Sequence, residues 1–140
     1  MMLIDTTVLV DVLRDASGAN AKRQLTVLGT EDVAFTRFTE LEVLVGARDQ
    51  GEWDSIRTYL QSKSTLDPTA DSWSAAARIY FDLRRLGRTV RKIIDCCIAQ
   101  LAIERDLVLL HNDRDFEVIA AVRPLKHLRV QLAPSAQGQP

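Results

Sequence analysis

The chain of 140 residues carries 18 Lys and Arg against 19 Asp and Glu, for a formal net charge of −1, and is 46% hydrophobic and 26% charged. That length suits one domain with a real core, and that composition excludes disordered and fibrous classes and any global electrostatic pull toward nucleic acid. No apolar run reaches the length of a membrane span, and the start lacks a cationic stretch followed by an apolar one, so a cytoplasmic protein without a signal peptide is expected.

The first element is short and apolar. Leu3 and Ile4 suit a buried parallel strand, and Asp5 interrupts the run directly before Thr6, Thr7 and the apolar series Val8, Leu9, Val12 and Leu13. The pattern is strand, acid, helix, with Thr6 or Thr7 available to cap the helix by accepting from its unpaired backbone N–H groups. Ser17-Gly18 reads as a break, followed by a short helix over 20–28 closed by Gly29. A second strand is expected over 33–35. The helix over 38–49 places Phe38, Leu41, Leu44 and Val45 on one stripe, and Gly51 is expected to end it. A helix over 52–61 follows, with Trp53, Ile56 and Leu60, and the region up to Pro68 has room for a short strand.

The longest helical pattern spans 69–86 and stops at Gly87. The next helix is expected from Val90 to Glu104 and contains Cys96 and Cys97, whose adjacency suits neither a structural disulfide nor a zinc site; they read as small core or near-core residues. A compact strand over 107–110, a loop over 111–113 and a helix over 114–121 come next, with Pro124 as a stop and an edge strand over 128–132. Strands alternating with helices predict an α/β fold in which a central parallel sheet is covered on both faces. One domain is expected over 1–132, and the small, polar tail over 133–140 is expected to fray.

Ligands in open α/β sheets bind beyond the carboxyl ends of the strands. Asp5 lies at one such end, and Asp113 and Asp115 follow another. Asp95 shares a helical stripe with Ile98, Ala99 and Ala102, where a lone carboxylate is costly unless paired or bound to a metal. Glu40 and Glu42 compete for a place in the same cleft, because two residues along a helix lie about 200° apart. The helical wheel does not separate them; Gly46, one turn beyond Glu42, favours Glu42 by leaving room above its carboxylate. At least one of Asn112, Asp113 and Asp115 is expected to cap the following helix. Carboxylates converging on one point repel each other unless a cation joins them, and hard oxygen donors with little histidine favour Mg²⁺ or Mn²⁺ over zinc. Such an ion points to phosphodiester chemistry. His111 and His127 read as ordinary surface or hydrogen-bonded residues. The stretch over 84–92 carries Arg84, Arg85, Arg88, Arg91 and Lys92 with no acid among them, a local positive field able to hold phosphates.

Taken together, DTTVLVDVL at the start, TELEVLVGA over 39–47, IID over 93–95 and HNDRDFE over 111–117 resemble the PIN domain of VapC-type toxins. The resemblance covers nearly the whole chain and implies a PIN-like three-layer fold and a Mg²⁺- or Mn²⁺-dependent endoribonuclease. It places Asp5, Glu42, Asp95 and Asp113 as the four acids that carry catalysis and hold the metal, with Thr6 and Asp115 in support. His111 stands where the family usually has threonine or serine. The resemblance also implies a cognate antitoxin whose C-terminal segment fills the cleft, an RNA substrate, and toxin dimers that join larger assemblies. Beside such a site, the cations Arg84, Arg85, Arg88, Arg91 and Lys92 read as contacts to RNA phosphates. Two other classes compete: a PIN-like module that binds nucleic acid or protein without cleavage, and a receiver-like phosphoacceptor. The second lacks a convincing lysine among Lys22, Lys63, Lys92 and Lys126.

Overall fold

A computed structural model describes residues 1–15, 17–20, 22 and 29–130; the expected tail over 133–140 lies outside the described residues, as does most of the helix expected over 20–28. The elements run β1 (Met2–Ile4), α1 (Thr6–Arg14), β2 (Val33–Thr36), α2 (Arg37–Val45), α3 (Gln50–Gln61), β3 (Ser64–Leu66), α4 (Ala70–Arg85), α5 (Ile93–Glu104), β4 (Val108–His111), α6 (Arg114–Ala120) and β5 (His127–Arg129). Among the described residues five strands form one parallel sheet, in the order β3-β2-β1-β4-β5. The order reverses between β1 and β4, so the crevice for a ligand opens at their carboxyl ends.

Strand alternation divides the interior into two cores. Leu3, Ala34 and Leu109 face one side, against Ile79 and Leu83 of α4, Ile98 and Leu101 of α5 and Phe116 of α6. Ile4, Phe35 and Leu110 face the other, against Leu9 of α1, Val43 of α2 and Leu60 of α3. The result is the expected three-layer α/β fold, with a parallel sheet between two layers of helices. Cys96 is fully buried in the first core and Cys97 packs against it.

Several boundaries differ from the sequence reading, each for a local reason. Gly51 does not end a helix; it lies in the first turn of α3, because Asp49 adopts an extended conformation and its carboxylate accepts the Glu52 N–H at 2.7 Å as an N-cap. The preceding helix stops earlier, with Gly46 as its C-cap. Its buried face is also rotated from the expected stripe: Leu41 and Val45 are exposed, whereas Thr39 and Val43 are buried. The threonine is satisfied by Thr36, whose Oγ1 lies 3.1 Å from Thr39 Oγ1 and caps the helix through the Thr39 N–H. α5 begins at Ile93 rather than Val90, since the Arg91 N–H is committed to the Asp115 carboxylate at 3.0 Å. His111 is the last residue of β4 rather than part of a loop, held by the Val130 N–H on its carbonyl at 2.7 Å. β5 begins at His127, one residue before the expected strand, and positions 131 and 132 lie outside the described residues.

Candidate active site

Asp5 follows β1 and is itself the N-cap of α1, the role expected of Thr6 or Thr7. Its Oδ2 accepts the Thr7 N–H at 3.1 Å and the Thr7 hydroxyl. The carboxyl group is 1% exposed, and burial pushes its pKa up to about 6, against the lowering effect of the Thr7 bonds. Thr6 faces α2 instead. Its hydroxyl donates to Glu42 Oε1 at 2.8 Å, and Lys92 Nζ lies 3.5 Å from Glu42 Oε2. Glu40 points away and pairs with Arg37 at 2.6 Å on the outer surface. The space at Gly46 does not decide between them, since a Cβ there would meet only ordinary contacts, with Val43 O at 3.5 Å nearest.

Asp95 sits in the first turn of α5 and is 5% exposed. Among the described residues its Oδ2 is the one buried side-chain polar atom without a hydrogen-bond partner. Burial, with the charges of Asp5, Asp113 and Glu42 behind it, pushes the Asp95 pKa up to about 8. Asp113 caps α6 by accepting the Asp115 N–H on Oδ1 at 3.0 Å. The carboxylate oxygens of Asp95, Asp113 and Asp115 include one from each that all lie within 4.8 Å of one another. Asp115, expected only in support, therefore belongs to the tightest acidic grouping. Asp5 and Glu42 approach Asp95 closely enough to raise its pKa but stand outside that grouping.

Two of the five expected cations reach the acids. Arg91 Nη2 lies 2.9 Å from Asp113 Oδ2 and its Nε 3.4 Å from Asp115 Oδ2, while Lys92 reaches Glu42. Arg84 and Arg85 lie over the rings of Tyr80 and Phe81, one turn back on their own helix. A donor set made only of oxygens, with one buried oxygen left over, fits a hard divalent cation better than any soft metal.

The sequence profile of the PIN domain matches residues 2–122. Ribonuclease VapC11 of Mycobacterium tuberculosis is 37% identical over 130 residues, which cover 90% of this chain and 96% of its own. The chain belongs to the PIN-domain VapC family. Among solved VapC structures, VapBC-5 from Mycobacterium tuberculosis is 25% identical with a TM-score of 0.65, covering 92% of this chain and 98% of that one. VapBC2 from Rickettsia felis, bound to a DNA fragment from its promoter, shares the fold at 16% identity and a TM-score of 0.74, covering 91% of this chain and 97% of that one.

His111, which stands where the resemblance implies a hydroxyl side chain, bonds to the Asp113 backbone through its ring. His111 Nδ1 accepts the Asp113 N–H at 3.1 Å, and its Nε2 lies 2.9 Å from His127 Nδ1. An accepting Nδ1 places the His111 proton on Nε2, from where it is donated to His127. Burial and the neighbouring imidazole hold the His111 pKa down at about 4, so the ring stays neutral and keeps this tautomer near pH 7. What the sequence did not reveal in this cluster is the grip of Arg91 on Asp113 and Asp115, since a pair 22 and 24 residues apart leaves no periodic signal.

Proposed function

We propose that this protein is the endoribonuclease toxin of a type II toxin–antitoxin module, acting in the cytoplasm, dependent on Mg²⁺ or Mn²⁺ and hydrolysing RNA phosphodiester bonds with an activated water. The observation that carries this reading is the unpartnered, buried Asp95 Oδ2 among Asp5, Glu42, Asp113 and Asp115, at the point where the strand order reverses. Ribonuclease VapC11 and the VapBC complexes support the substrate and the partner by their kinship with this chain.

Asp5, Glu42, Asp95 and Asp113 would hold the ion, with Asp115 beside them. When bound, the ion supplies activation of water and neutralisation of charge on the phosphate oxygens. The chain's own groups do the positioning. The Thr7 bonds fix Asp5 in one rotamer, Thr6 fixes Glu42, and His111 with the Asp115 N–H fixes Asp113. Lys92, more than half exposed beside Glu42, supplies positive charge for the RNA backbone.

Beside Thr6 and Glu42 lies a cleft of about 370 Å³ with walls from Val10, Leu13, Val43 and Ile56. Its apolar walls and charged rim, which includes Arg14 and Arg48, suit an antitoxin segment that reaches toward the acids. A toxin homodimer within a larger toxin–antitoxin assembly completes the proposal.

Because water is the nucleophile, cleavage by antitoxin-free protein should leave 5′-phosphate and 3′-hydroxyl ends. End-group analysis of the products from a mixed RNA pool tests this. Cyclic 2′,3′-phosphate ends would assign the nucleophile to the ribose 2′-hydroxyl and overturn the mechanism.

A further inference from the structure

Asp113, the N-cap of α6, and Asp115, in its first turn, are already engaged. Asp113 Oδ1 accepts the Asp115 N–H, and Asp113 Oδ2 accepts Arg91 Nη2 at 2.9 Å. Asp115 Oδ2 accepts both the N–H and the Nε–H of Arg91. A cation that takes Asp113 through Oδ2 must take it from Arg91. Charge points the same way, since a guanidinium held against these acids disfavours a second positive centre among them.

The arginine is built to let go. Its side chain is 72% exposed, whereas those of Asp113 and Asp115 are 5% and 8% exposed, so the guanidinium regains water on release while the acids stay in place. Its backbone N–H to Asp115 anchors residue 91 whatever the side chain does. A cleft of about 450 Å³ opens beside it, and Arg91 shares the lining with Thr89, Arg114 and Arg129. Asp113 and Asp115 form part of its wall, and once Arg91 leaves them its guanidinium, with Arg114 and the Thr89 hydroxyl beside it and Arg129 held by Glu117 at 3.3 Å, makes the cleft a place for an RNA phosphate.

We infer that Arg91 is exchanged between two partners: its guanidinium is the counter-cation of Asp113 and Asp115 until a divalent ion claims Asp113, and it then serves an RNA phosphate in the cleft it lines. The inference rests on the reading of this protein as a metal-dependent ribonuclease and adds a residue that opposes metal binding yet assists the substrate. A residue that merely stabilised the site would help both.

The test is calorimetric titration of antitoxin-free protein with Mn²⁺, comparing the native sequence with Arg91→Ala, Arg91→Gln and Arg91→Lys, together with RNA cleavage at saturating Mn²⁺. Loss of the guanidinium in Arg91→Ala or Arg91→Gln should tighten Mn²⁺ binding by roughly three- to fivefold, the scale of an exposed ion pair. Arg91→Lys keeps the charge and should stay near the native affinity. Cleavage at saturating Mn²⁺ should fall in Arg91→Ala by roughly tenfold, the opposite sign, through loss of a charge-assisted phosphate contact. Circular dichroism checks the fold, and Arg91→Gln, which keeps hydrogen-bond donors, guards against collapse of the turn in the alanine variant. Mn²⁺ binding that is unchanged or weakened in both neutral variants overturns the exchange, as does undiminished cleavage by Arg91→Ala. Failure of the native protein to bind Mn²⁺ at all overturns the metal-dependent reading and this inference with it.

Discussion

Removing the charge of Asp95 should stabilise the protein while abolishing its activity. An acid whose pKa rises from 3.8 to about 8 on folding holds its proton in the native state where the unfolded chain has lost it. Between those values the native state binds more protons, so stability falls as pH rises, and it levels off above about pH 8. Over the full window the loss is on the order of 5 kcal/mol, since each pH unit between the two values costs about 1.4 kcal/mol. His111 works in the opposite direction. Its pKa is held down at about 4 from 6.5, so the unfolded chain binds the extra proton and stability rises with pH across that interval. Asp5, raised to about 6, works in the same direction as Asp95 and is mostly ionised by pH 6.5. From pH 6.5 to 8 Asp95 contributes most of the change, the residual effects of Asp5 and of the unfolded His111 being smaller and opposite in sign to one another, and there the native protein in EDTA should lose on the order of 1–2 kcal/mol. Asp95→Asn should show almost no slope. At pH 8 it should melt higher by several degrees, since the gain is reduced by the roughly 1–3 kcal/mol cost of a buried amide N–H that finds no acceptor. The assay is urea or thermal unfolding in EDTA at half-unit steps of pH. Equal slopes for the two proteins, or an Asp95→Asn variant less stable than the native sequence at pH 8, would refute this reasoning.

Other outcomes follow from the same geometry. Glu42→Gln should reduce RNA cleavage by at least tenfold while Glu40→Gln leaves it near the native rate, because Glu40 pairs with Arg37 on the outer surface; parallel cleavage assays distinguish them. Thr6→Val removes the donor to Glu42 Oε1 at 2.8 Å and should weaken Mn²⁺ binding severalfold by calorimetry without loss of fold. His111→Leu leaves the Asp113 N–H unpaired and should destabilise the protein by about 1–3 kcal/mol in urea unfolding, whereas His111→Asn should recover part of that loss by offering an acceptor in a similar place. Gly87→Ala should destabilise by about 1 kcal/mol, since Gly87 closes α4 at φ 72, where its N–H and that of Arg88 bond back to Arg84 and Leu83.

Much of this architecture is legible in the sequence. Strand and helix periods locate the sheet, and an acid breaking an apolar run locates Asp5 and Asp95. What stays hidden is information carried between elements. Hydropathy draws the apolar stripe of α2 through Leu41 and Val45, yet the buried face is set by a chain of hydroxyls from Thr36 through Thr39 to Thr6, which hydropathy counts as polar. Gly51 carries a stop signal that the Asp49 cap overrides. Asp115 reads as a helix-start residue beside the site, and only folding brings it within the reach of Asp95 and Arg91. The preference for Glu42 over Glu40 rests, in the sequence, on the space at Gly46 and on the family resemblance; that glycine is sterically neutral, and what sets Glu42 apart in the structure is the bond from Thr6.

The central claim, that these acids act through a divalent ion on RNA, is tested most directly by cleavage of a labelled RNA pool with antitoxin-free protein, in Mg²⁺, Mn²⁺ or EDTA, beside Asp5→Ala. The expected result is cleavage that EDTA stops, that added Mn²⁺ restores, and that Asp5→Ala lacks under every condition. Cleavage that persists in EDTA, or that survives in a folded Asp5→Ala variant, would contradict it.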